Sequence, residues 1–425
     1  MRIGKILNIS LFAFLSSLCA PSVHADSIQL TTNSQSPIIS IWGGAREAIA
    51  LKQDGSVWTW GHNVGEIGNG NQIDQALPFQ VFGPGGVGTL NSVKLIMGGE
   101  DSNAAVTSDG SLWTWGMNGQ GQLGIGSQTN VFTPVKVPTL NSVISLGGRA
   151  RHYLAIKSDG TVWGWGFNLH GALGSACSIG PCLATTPVLI PGVNNPIMVT
   201  AGQGFSAALL QDHTVMTWGS ALQLGTGSVT DSTVPVRVPG LTHVVSISAG
   251  WQHMLAVKDD GTVWAWGSNY WSGAFPGYGM LGNGTANNSS VPQQVIGLPN
   301  NIIQASGGDN FSAVLAANGD VWTFGANGAG QLGNGDPNLR PQLLPVKVIG
   351  LTNVRYITAR DFHAQAIKSD GTVWSWGSGV QGELGMTCTP MNILQEWQLV
   401  GLPPPGYCRN SNIPVETLWP VTRYQ

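Results

Sequence analysis

Charged residues are scarce in this chain of 425 residues. Asp, Glu, Lys and Arg make up 9% of the sequence, against roughly 25% in an ordinary soluble domain. The 18 basic and 21 acidic residues give a formal net charge of −3, and the basic residues form no cluster. Proteins that bind nucleic acid usually carry a basic patch, so the sequence predicts no nucleic-acid partner. The low charge also argues against a fold built on long amphipathic helices.

Long apolar runs are absent after the N-terminal region, so we expect no membrane span. Residues 6–18 are mostly apolar but too few to cross a bilayer, and they follow Arg2 and Lys5. Ala25 ends a plausible cleavage site. This combination predicts a secretory signal peptide over residues 1–25. We therefore expect an exported protein, in the periplasm or outside the cell.

Cysteine is scarce too, and four cysteines follow the predicted signal peptide: Cys177, Cys182, Cys388 and Cys408. None forms a Cys-x-x-Cys motif, and no two histidines have the spacing of zinc ligands, so we expect no metal and no cofactor. An even number of cysteines in an exported protein favours disulfides. Proximity suggests that the first two pair and that the last two pair, although four cysteines allow three pairings.

Glycine and tryptophan, in contrast, are abundant, with 60 and 17 copies. Many of the tryptophans lie in the pattern DGTVWAWG, which recurs about every fifty residues and so indicates repeated supersecondary units in one closed domain. Its seven copies occupy residues 54–61, 109–116, 159–166, 212–219, 260–267, 318–325 and 370–377. We assign residues 26–37 to an N-terminal segment, whose stretch 28–32 is a candidate closing strand, and residues 38–425 to the repeat domain. The repeats lie at about 38–83, 93–138, 143–191, 197–239, 244–296, 302–349 and 354–419.

Each repeat contains four extended segments, which are clearest in the fifth copy at 244–249, 253–258, 262–266 and 292–296. Alternating apolar residues and β-branched side chains predict strands, and the Asp-Gly between the second and third segments predicts a type I′ turn. Seven units of four antiparallel strands predict an all-β fold, a seven-bladed β-propeller.

Proline marks the last segment of every repeat and costs no ladder bond in an edge strand. We therefore expect the first strand of each blade to be the inner one and the last to be the outer edge, beginning at its proline. These prolines are Pro78, Pro134, Pro187, Pro235, Pro292, Pro345 and Pro414.

The two aromatic positions of the third strand point to the same side, because strand side chains alternate. Large rings at one position in successive blades would form a belt between blades, and each buries on the order of 150–250 Å². We expect this belt to be the main source of stability. Its members are Trp58, Trp60, Trp113, Trp115, Trp163, Trp165, Trp218, Trp264, Trp266, Trp322, Phe324, Trp374 and Trp376.

The whole pattern resembles the regulator of chromosome condensation repeat. The resemblance covers about residues 38–419, and residues 117–126 (MNGQGQLGIG) and 326–335 (ANGAGQLGNG) match the repeat closely. It implies a seven-bladed propeller. That family includes an exchange factor for the GTPase Ran, components of ubiquitin ligases and secreted bacterial proteins, so for function the resemblance implies binding of a protein more than any one chemistry.

Two motifs in the chain look functional but are better explained by the repeat. Residues 119–124 and 328–333 match GxGxxG, yet a loop follows each match where a dinucleotide site needs a helix. His152, His253 and His363 share a repeat position that other copies fill with phenylalanine. A ring of metal ligands would not tolerate phenylalanine, so we expect each histidine to bond to its local turn.

The loops between the third and fourth strands are longest in copies five and seven, and that of copy three carries a cysteine pair. In an antiparallel blade these loops emerge on the same side as the first turn. Binding residues concentrate on loops of a rigid scaffold, so this face is the candidate interface. Its candidate residues are Tyr270, Trp271, Phe275, Tyr278, Trp251, Arg149, Arg151, Phe362 and Trp397.

The sequence therefore predicts an exported, monomeric, non-enzymatic propeller that binds a protein, or alternatively a glycan, through this face. One alternative is a regulator of a small GTPase resembling a guanine-nucleotide exchange factor. Another is a lyase or glycosidase that uses the central funnel, for which the first turns supply Glu100, Asp101, Asp309 and Asp361.

Overall fold

Each repeat folds into one four-stranded antiparallel sheet, and seven such sheets form the propeller. The structure is a computed structural model that describes residues 36–176, 182–270, 278–386 and 410–419. The predicted fold class is confirmed.

Blade 1 contains β1 (Ile38–Gly43), β2 (Glu47–Lys52), β3 (Val57–Gly61) and β4 (Gln75–Gln80), and blade 2 contains β5 (Val93–Gly98), β6 (Ser102–Thr107), β7 (Leu112–Gly116) and β8 (Val131–Lys136). Blade 3 contains β9 (Val143–Arg149), β10 (His152–Lys157), β11 (Val162–Phe167) and β12 (Leu183–Ile190), and blade 4 contains β13 (Pro196–Gly202), β14 (Phe205–Leu210), β15 (Val215–Gly219) and β16 (Ser232–Arg237).

Blade 5 contains β17 (Val244–Ala249), β18 (His253–Lys258), β19 (Val263–Gly267) and β20 (Ser289–Gln294). Blade 6 contains β21 (Ile302–Gly307), β22 (Phe311–Ala316), β23 (Val321–Gly325) and β24 (Gln342–Lys347). Blade 7 contains β25 (Val354–Arg360), β26 (His363–Lys368), β27 (Val373–Gly377) and β28 (Ser411–Glu416). Three short 3₁₀ turns lie at Pro84–Gly86, Leu169–Gly171 and Ala221–Gln223. None of the helical turns in the described segments is long and apolar enough to cross a membrane.

The strands of every blade pair in chain order, and the first strand is the inner one. The first strands of neighbouring blades contact each other around the whole ring, including β1 with β25. Blade 7 takes its outer strand from β28, and Trp419 just after it packs edge-on against Trp58 and Trp60 of blade 1, with ring centroids 5.9 and 5.5 Å apart. The candidate closing strand at 28–32 lies outside the described residues.

The predicted type I′ turn is wrong. In blade 1 the Gly55 amide donates to Lys52 O and the Lys52 amide donates to Ser56 O. Gly55 has a φ of 81° while Asp54 stays out of the left-handed region. Because the Asp54 carboxylate accepts the Ser56 amide at 2.9 Å, the aspartate fixes the turn through its side chain, and glycine alone takes the positive φ.

The predicted strand start at proline is also wrong. Pro78, for example, lies inside β4, which begins at Gln75. The ladder to β3 is irregular there, since Thr59 pairs with Phe79 while Gly61 pairs with Gln75. A bulge on an outer strand requires no amide donor at that point, so the proline is accommodated within the strand.

The second aromatic of each third strand is completely buried between blades, whereas the first is at the edge of the core. Where the second aromatic is tryptophan, its indole N–H donates to a backbone carbonyl in the preceding blade; Trp266, for example, bonds to Gln223 O at 2.8 Å. The other donors are Trp60, Trp115, Trp165, Trp218 and Trp376, at 2.7–3.1 Å. The first tryptophan bonds within its own blade in four cases, as Trp264 does to Thr262 Oγ1, whereas the indole nitrogens of Trp113 and Trp322 have no partner among the described residues. The second aromatic position, here called the inner one, therefore joins neighbouring blades.

Candidate functional site: the axial cavity

The turns between first and second strands and the loops between third and fourth strands lie on one face, here called the upper face. At its centre the first turns surround an axial cavity of about 280 Å³. It is lined by Ala45, Arg46, His62, Glu100, Asp101, Arg149, Ala150, Trp251, Asp309, Arg360 and Asp361. The four carboxylates suggested for a funnel chemistry thus line one cavity.

Arg149 lies across the floor of this cavity, with only 3% of its side chain exposed. Its guanidinium donates to Gly307 O at 2.6 Å and to Ala249 O at 3.3 Å, carbonyls at the ends of the inner strands of blades 6 and 5. It also forms an ion pair of 2.6 Å with Asp309. One arginine from blade 3 therefore ties together two blades on the other side of the ring.

Arg360 does the same from blade 7. It donates to Gly98 O at 2.7 Å and to Gly148 O at 3.4 Å, which belong to blades 2 and 3. Burial, followed by the charge of Arg149, lowers its pKa to about 10. The two arginines form a guanidinium layer that closes the cavity below.

Asp361 and Asp309 bring two carboxyl groups into hydrogen-bond contact beside this layer. Burial and the neighbouring Asp309 carboxylate raise the pKa of Asp361 to about 9. Arg149 neutralises Asp309 directly. Asp361 therefore keeps its proton at neutral pH and is a neutral carboxylic acid beside Asp309.

Changing Asp361 to Asn is expected to flatten the pH dependence of stability between pH 7 and 9. The folded protein keeps the Asp361 proton up to about pH 9, whereas the unfolded chain loses it above about pH 3.8. Stability must then fall as pH rises through this window, at up to about 1.4 kcal/mol per pH unit. Urea denaturation of both proteins at pH 7, 8 and 9 measures the two slopes. A wild-type slope of zero, or equal slopes, would show that Asp361 is already ionised at pH 7.

The remaining carboxylates of the cavity are less deeply placed. Arg151 holds Glu100 at 3.0 Å, and this pair is partly exposed. Burial raises the pKa of Glu100 more than Arg151 lowers it, and burial and Glu66 raise the pKa of Asp101. Arg46 lines the cavity as well, so the mouth carries groups of both charge signs.

The structure brings together part of the predicted interface. Arg149 is buried at the floor, where its two terminal nitrogens are paired, so it is not an exposed interface residue. Phe362 is 39% exposed and Tyr270 44% exposed on the upper face, while Trp251 is half-buried at the cavity wall and Arg151 is exposed. Tyr278 is half-buried. Three further candidates, Trp271, Phe275 and Trp397, lie outside the described residues.

The three equivalent histidines do not bond to their local turns as expected, because their ring nitrogens point to the next blade. His152 Nε2 lies 2.9 Å from Ser206 Oγ, and His253 Nε2 lies 2.9 Å from Ser312 Oγ. Burial lowers the pKa of His152 to about 4 and that of His253 to about 3, so both are neutral. They join blades and offer no ligand set. Within the described segments, no group of three or more His, Cys, Asp or Glu side chains is arranged to hold a metal ion.

His363 is the exception in this pattern, since neither of its buried ring nitrogens has a partner. The serine that would face it is replaced in blade 1 by Ala48. In the other two cases the serine donates to a loop carbonyl of the preceding blade: Ser206 to Ala172 O, and Ser312 to Met280 O. Ala172 O also accepts the indole N–H of Trp218. The corresponding carbonyl for blade 1 is that of Glu383, which accepts from Trp60.

Changing Ala48 to Ser is therefore expected to stabilise the protein, by about 1 kcal/mol, the usual net contribution of a hydrogen bond. The new hydroxyl would bond to both His363 and Glu383 O. Urea denaturation measures the gain. Ala50 lies two residues on in the same buried strand, and Ala50→Ser is the matched control that buries a hydroxyl without this partner. Equal destabilisation by both changes would contradict the prediction.

Comparison with known proteins agrees with this geometry. The profile of the regulator of chromosome condensation (RCC1) repeat matches residues 54–106, 109–156, 159–209, 260–315 and 318–367, more than half of the chain. A second profile of the same repeat matches residues 93–122, 144–172, 244–270 and 302–331. The chain belongs to the RCC1-repeat family. The RCC1 assignment agrees with the resemblance inferred from the sequence.

RCC1-repeat relatives differ widely in size. The human E3 ubiquitin-protein ligase HERC2 is 31% identical over 358 residues, which cover 81% of this chain but 7% of HERC2. The ultraviolet-B receptor UVR8 of Arabidopsis thaliana is 29% identical over 372 residues, 84% of this chain and 69% of UVR8. The crystal structure of Prp20p from Saccharomyces cerevisiae superposes with a TM-score of 0.69 at 20% identity, over 87% of each chain. At that identity the similarity shows the fold.

Sequence reasoning missed Arg46, His62 and Arg360 as parts of the cavity. Arg360 replaces the glycine that ends most first strands, and this departure from the repeat was the available signal. His62 opens the loop after the third strand of blade 1, where it lies 3.5 Å from the buried Glu66 carboxylate. Nothing in the sequence pattern distinguishes that position.

Proposed function

We propose that this RCC1-repeat chain is an exported, non-enzymatic binding module that holds a protein partner, or alternatively a glycan, against its upper face. The observation that carries the proposal is the axial cavity, which charged side chains of both signs line, with aromatic side chains on the same face. Phe362 follows Asp361 directly, and Trp251 lines the cavity wall. Aromatic side chains on a rigid scaffold are the usual anchors of protein interfaces.

The cavity also supports a proposal for the chemistry of the partner. The terminal nitrogens of its floor arginines are paired with backbone carbonyls and Asp309. Glu100 and Asp101 remain at the mouth, where burial raises their pKa values. A neighbouring carboxylate adds repulsion in each case, from Asp101 on Glu100 and from Glu66 on Asp101. A lysine or arginine side chain of the partner would relieve this repulsion, so we expect the partner to insert a basic residue, whose stem packs on the aromatic rim.

Proteins with the same fold support a protein as the partner. Prp20p is described as binding Gsp1p and histones, and yeast RCC1 (Prp20) as bound by Kap60. These partners are those of the yeast protein. They support protein binding as one use of this fold. Exchange on a small GTPase stays the alternative, and a nucleotide-release assay with a GTPase of the producing or host cell tests it.

A second candidate function rests on the carboxyl pair. A carboxylic acid that keeps its proton next to a second carboxyl group, as Asp361 does, is an arrangement used for general acid–base catalysis. Hydrogen-bond contact joins Asp309 and Asp361, but Glu100 is paired with Arg151. Incubation with oligosaccharides, followed by mass spectrometry, would reveal cleavage by a lyase or glycosidase, and loss of cleavage in Asp361→Asn would assign it.

Affinity capture tests the binding proposal directly. The double variant Trp251→Ala, Phe362→Ala is expected to recover at least tenfold less partner than wild type, as for the loss of two interface anchors. The control is Ile144→Ala, Ile197→Ala, which changes two comparably exposed side chains of the opposite face. Equal recovery by wild type and the upper-face variant would reject this face.

Export and disulfide formation belong to the same proposal. N-terminal sequencing of the protein isolated from its producing cell is expected to begin at Asp26. Cys182 is described on the upper face, while Cys177, Cys388 and Cys408 lie outside the described residues. Mass spectrometry of peptides with and without reduction tests the predicted pairs. An intact Met1 terminus would contradict export by a cleaved signal peptide.

A further inference from the structure

A second cavity lies along the propeller axis, on the other side of the guanidinium layer formed by Arg149 and Arg360. Its volume is about 460 Å³ and its walls are mainly the inner strands of blades 3 to 7, with Trp42 of blade 1. It reaches the lower face, since Ile303, which lines it, is 53% exposed. We call it the lower cavity.

A row of hydroxyl groups lies in the lower cavity directly below the guanidinium layer. The inner strands of blades 4, 5, 6 and 7 each place a hydroxyl at the same repeat position, and all four line the cavity: Thr200, Ser248, Ser306 and Thr358. The residues that follow the two serines are Ala249 and Gly307, whose carbonyls accept from Arg149. The two layers are therefore one residue apart, about 3.3 Å along a strand.

Three of these hydroxyls accept a backbone amide of the next blade. Ala249 N–H donates to Thr200 at 3.1 Å, and the amides of Gly307 and Ala359 donate to Ser248 and Ser306 in the same way. Their own O–H groups remain available as donors, since none donates to a group of the described protein. The row therefore presents hydroxyl donors whose hydrogens have no acceptor among the described residues.

Thr358 is the fourth member, and its hydroxyl has no hydrogen-bond partner among the described residues although Thr358 is 3% exposed. A buried hydroxyl without a hydrogen bond is costly. The matching amide in blade 1 is that of Gly43, and it does not donate to Thr358, so the series of amide-to-hydroxyl bonds ends there. An acceptor within the cavity would satisfy it.

The charges around the lower cavity have one sign. Arg355 is the charged residue among those lining it, and none of the described lining residues is acidic. Arg149 and Arg360 lie above the hydroxyl row, and their carboxylate neighbours, Asp309 and the buried Glu47, belong to the upper side. Hydroxyl donors under a positive field are the surroundings that stabilise an oxyanion.

We propose that the lower cavity binds a small ligand that carries an oxyanion, a carboxylate or phosphate, and is up to the size of a monosaccharide. The oxyanion accepts from the hydroxyl row, with Thr358 as the residue that lacks any other partner. Trp42 and Met198 provide an apolar wall for the rest of the ligand. This site is separate from the upper face and does not depend on the proposed protein partner.

Calorimetric titration with three probes tests the assignment: inorganic phosphate, glucuronate, and glucose as the neutral counterpart of glucuronate. We expect glucuronate or phosphate to bind wild type and glucose to bind at least tenfold more weakly. Thr358→Val keeps the shape and removes the hydroxyl, so it is expected to weaken binding of the anionic probe by about tenfold or more, as for a hydrogen bond to a charged group. Thr358→Ser is expected to retain binding.

Stability without ligand separates a binding role from a structural one. Because the Thr358 hydroxyl has no protein partner, Thr358→Val is expected to leave the melting temperature unchanged or to raise it. Thr129→Val, on an exposed loop of the upper face, is the matched control and should bind like wild type. No binding of either anion to wild type, equal binding of glucose and glucuronate, or unchanged anion binding by Thr358→Val would each overturn the proposal.

Discussion

Replacing Trp266 with alanine is expected to lower the free energy of unfolding by about 3–5 kcal/mol, the range for truncating a large buried side chain. The indole is completely buried against residues of two blades, including Phe205 and Met254. Its N–H also donates to Gln223 O of the preceding blade at 2.8 Å. The change therefore opens a cavity and leaves a loop carbonyl without its donor, at the contact that holds neighbouring blades together.

Trp264 is the matched control, because it lies two residues away on the same strand and bonds within its own blade to Thr262. Its ring is half-buried and Lys258 Nζ lies 5.5 Å from its centroid. We expect Trp264→Ala to cost clearly less than Trp266→Ala in urea denaturation. Equal losses of unfolding free energy in the two variants would contradict a role for Trp266 in joining blades. So would a loss below about 1 kcal/mol for Trp266→Ala, which is the size expected of an ordinary substitution.

Replacing Arg149 with methionine is expected to cost about 3–5 kcal/mol, as for removing one partner of a buried ion pair. The loss leaves Asp309 without its cation and the carbonyls of Ala249 and Gly307 without their donor. Methionine retains the unbranched shape and apolar contacts, so the difference reports the guanidinium. Urea denaturation at pH 7 measures it.

Arg151 offers an internal control for this experiment, since it lies in the same turn and also pairs with a carboxylate, Glu100. Its side chain is 47% exposed, against 3% for Arg149. Exposed ion pairs contribute at most about 1 kcal/mol, so we expect Arg151→Met to have little effect on stability. Comparable losses from the two changes would show that the buried layer is not what holds the ring.

The sequence was sufficient to predict the propeller because its determinants are local and repeated. The alternation in strands such as β19, the Asp-Gly turns and the burial of Trp266 are all encoded within a few residues. Local details were predicted less well. The type I′ turn failed because the Asp54 side chain bonds to the Ser56 amide, and Pro78 lies in a bulge that no local pattern marks.

The axial cavity could not be predicted in the same way, because its contacts join residues that are far apart in the chain. Arg149 meets Asp309 across 160 positions, and Arg360 reaches Gly98 across 262. A composition or spacing rule gives no information on which first turns face each other across the ring. The aromatic candidates Phe362 and Trp251 were found because loop length and topology do determine the face on which they lie.

The central claim is that the upper face holds the partner, and hydrogen–deuterium exchange of the captured complex tests it most directly. We expect the amides of the first turns to exchange more slowly in the complex than in the free protein, at residues 45–46, 100–101, 150–151, 251–252 and 361–362. The turns at 54–55, 159–160 and 260–261 on the opposite face should be unchanged. Protection confined to the opposite face, with the first turns exchanging as in the free protein, would contradict it.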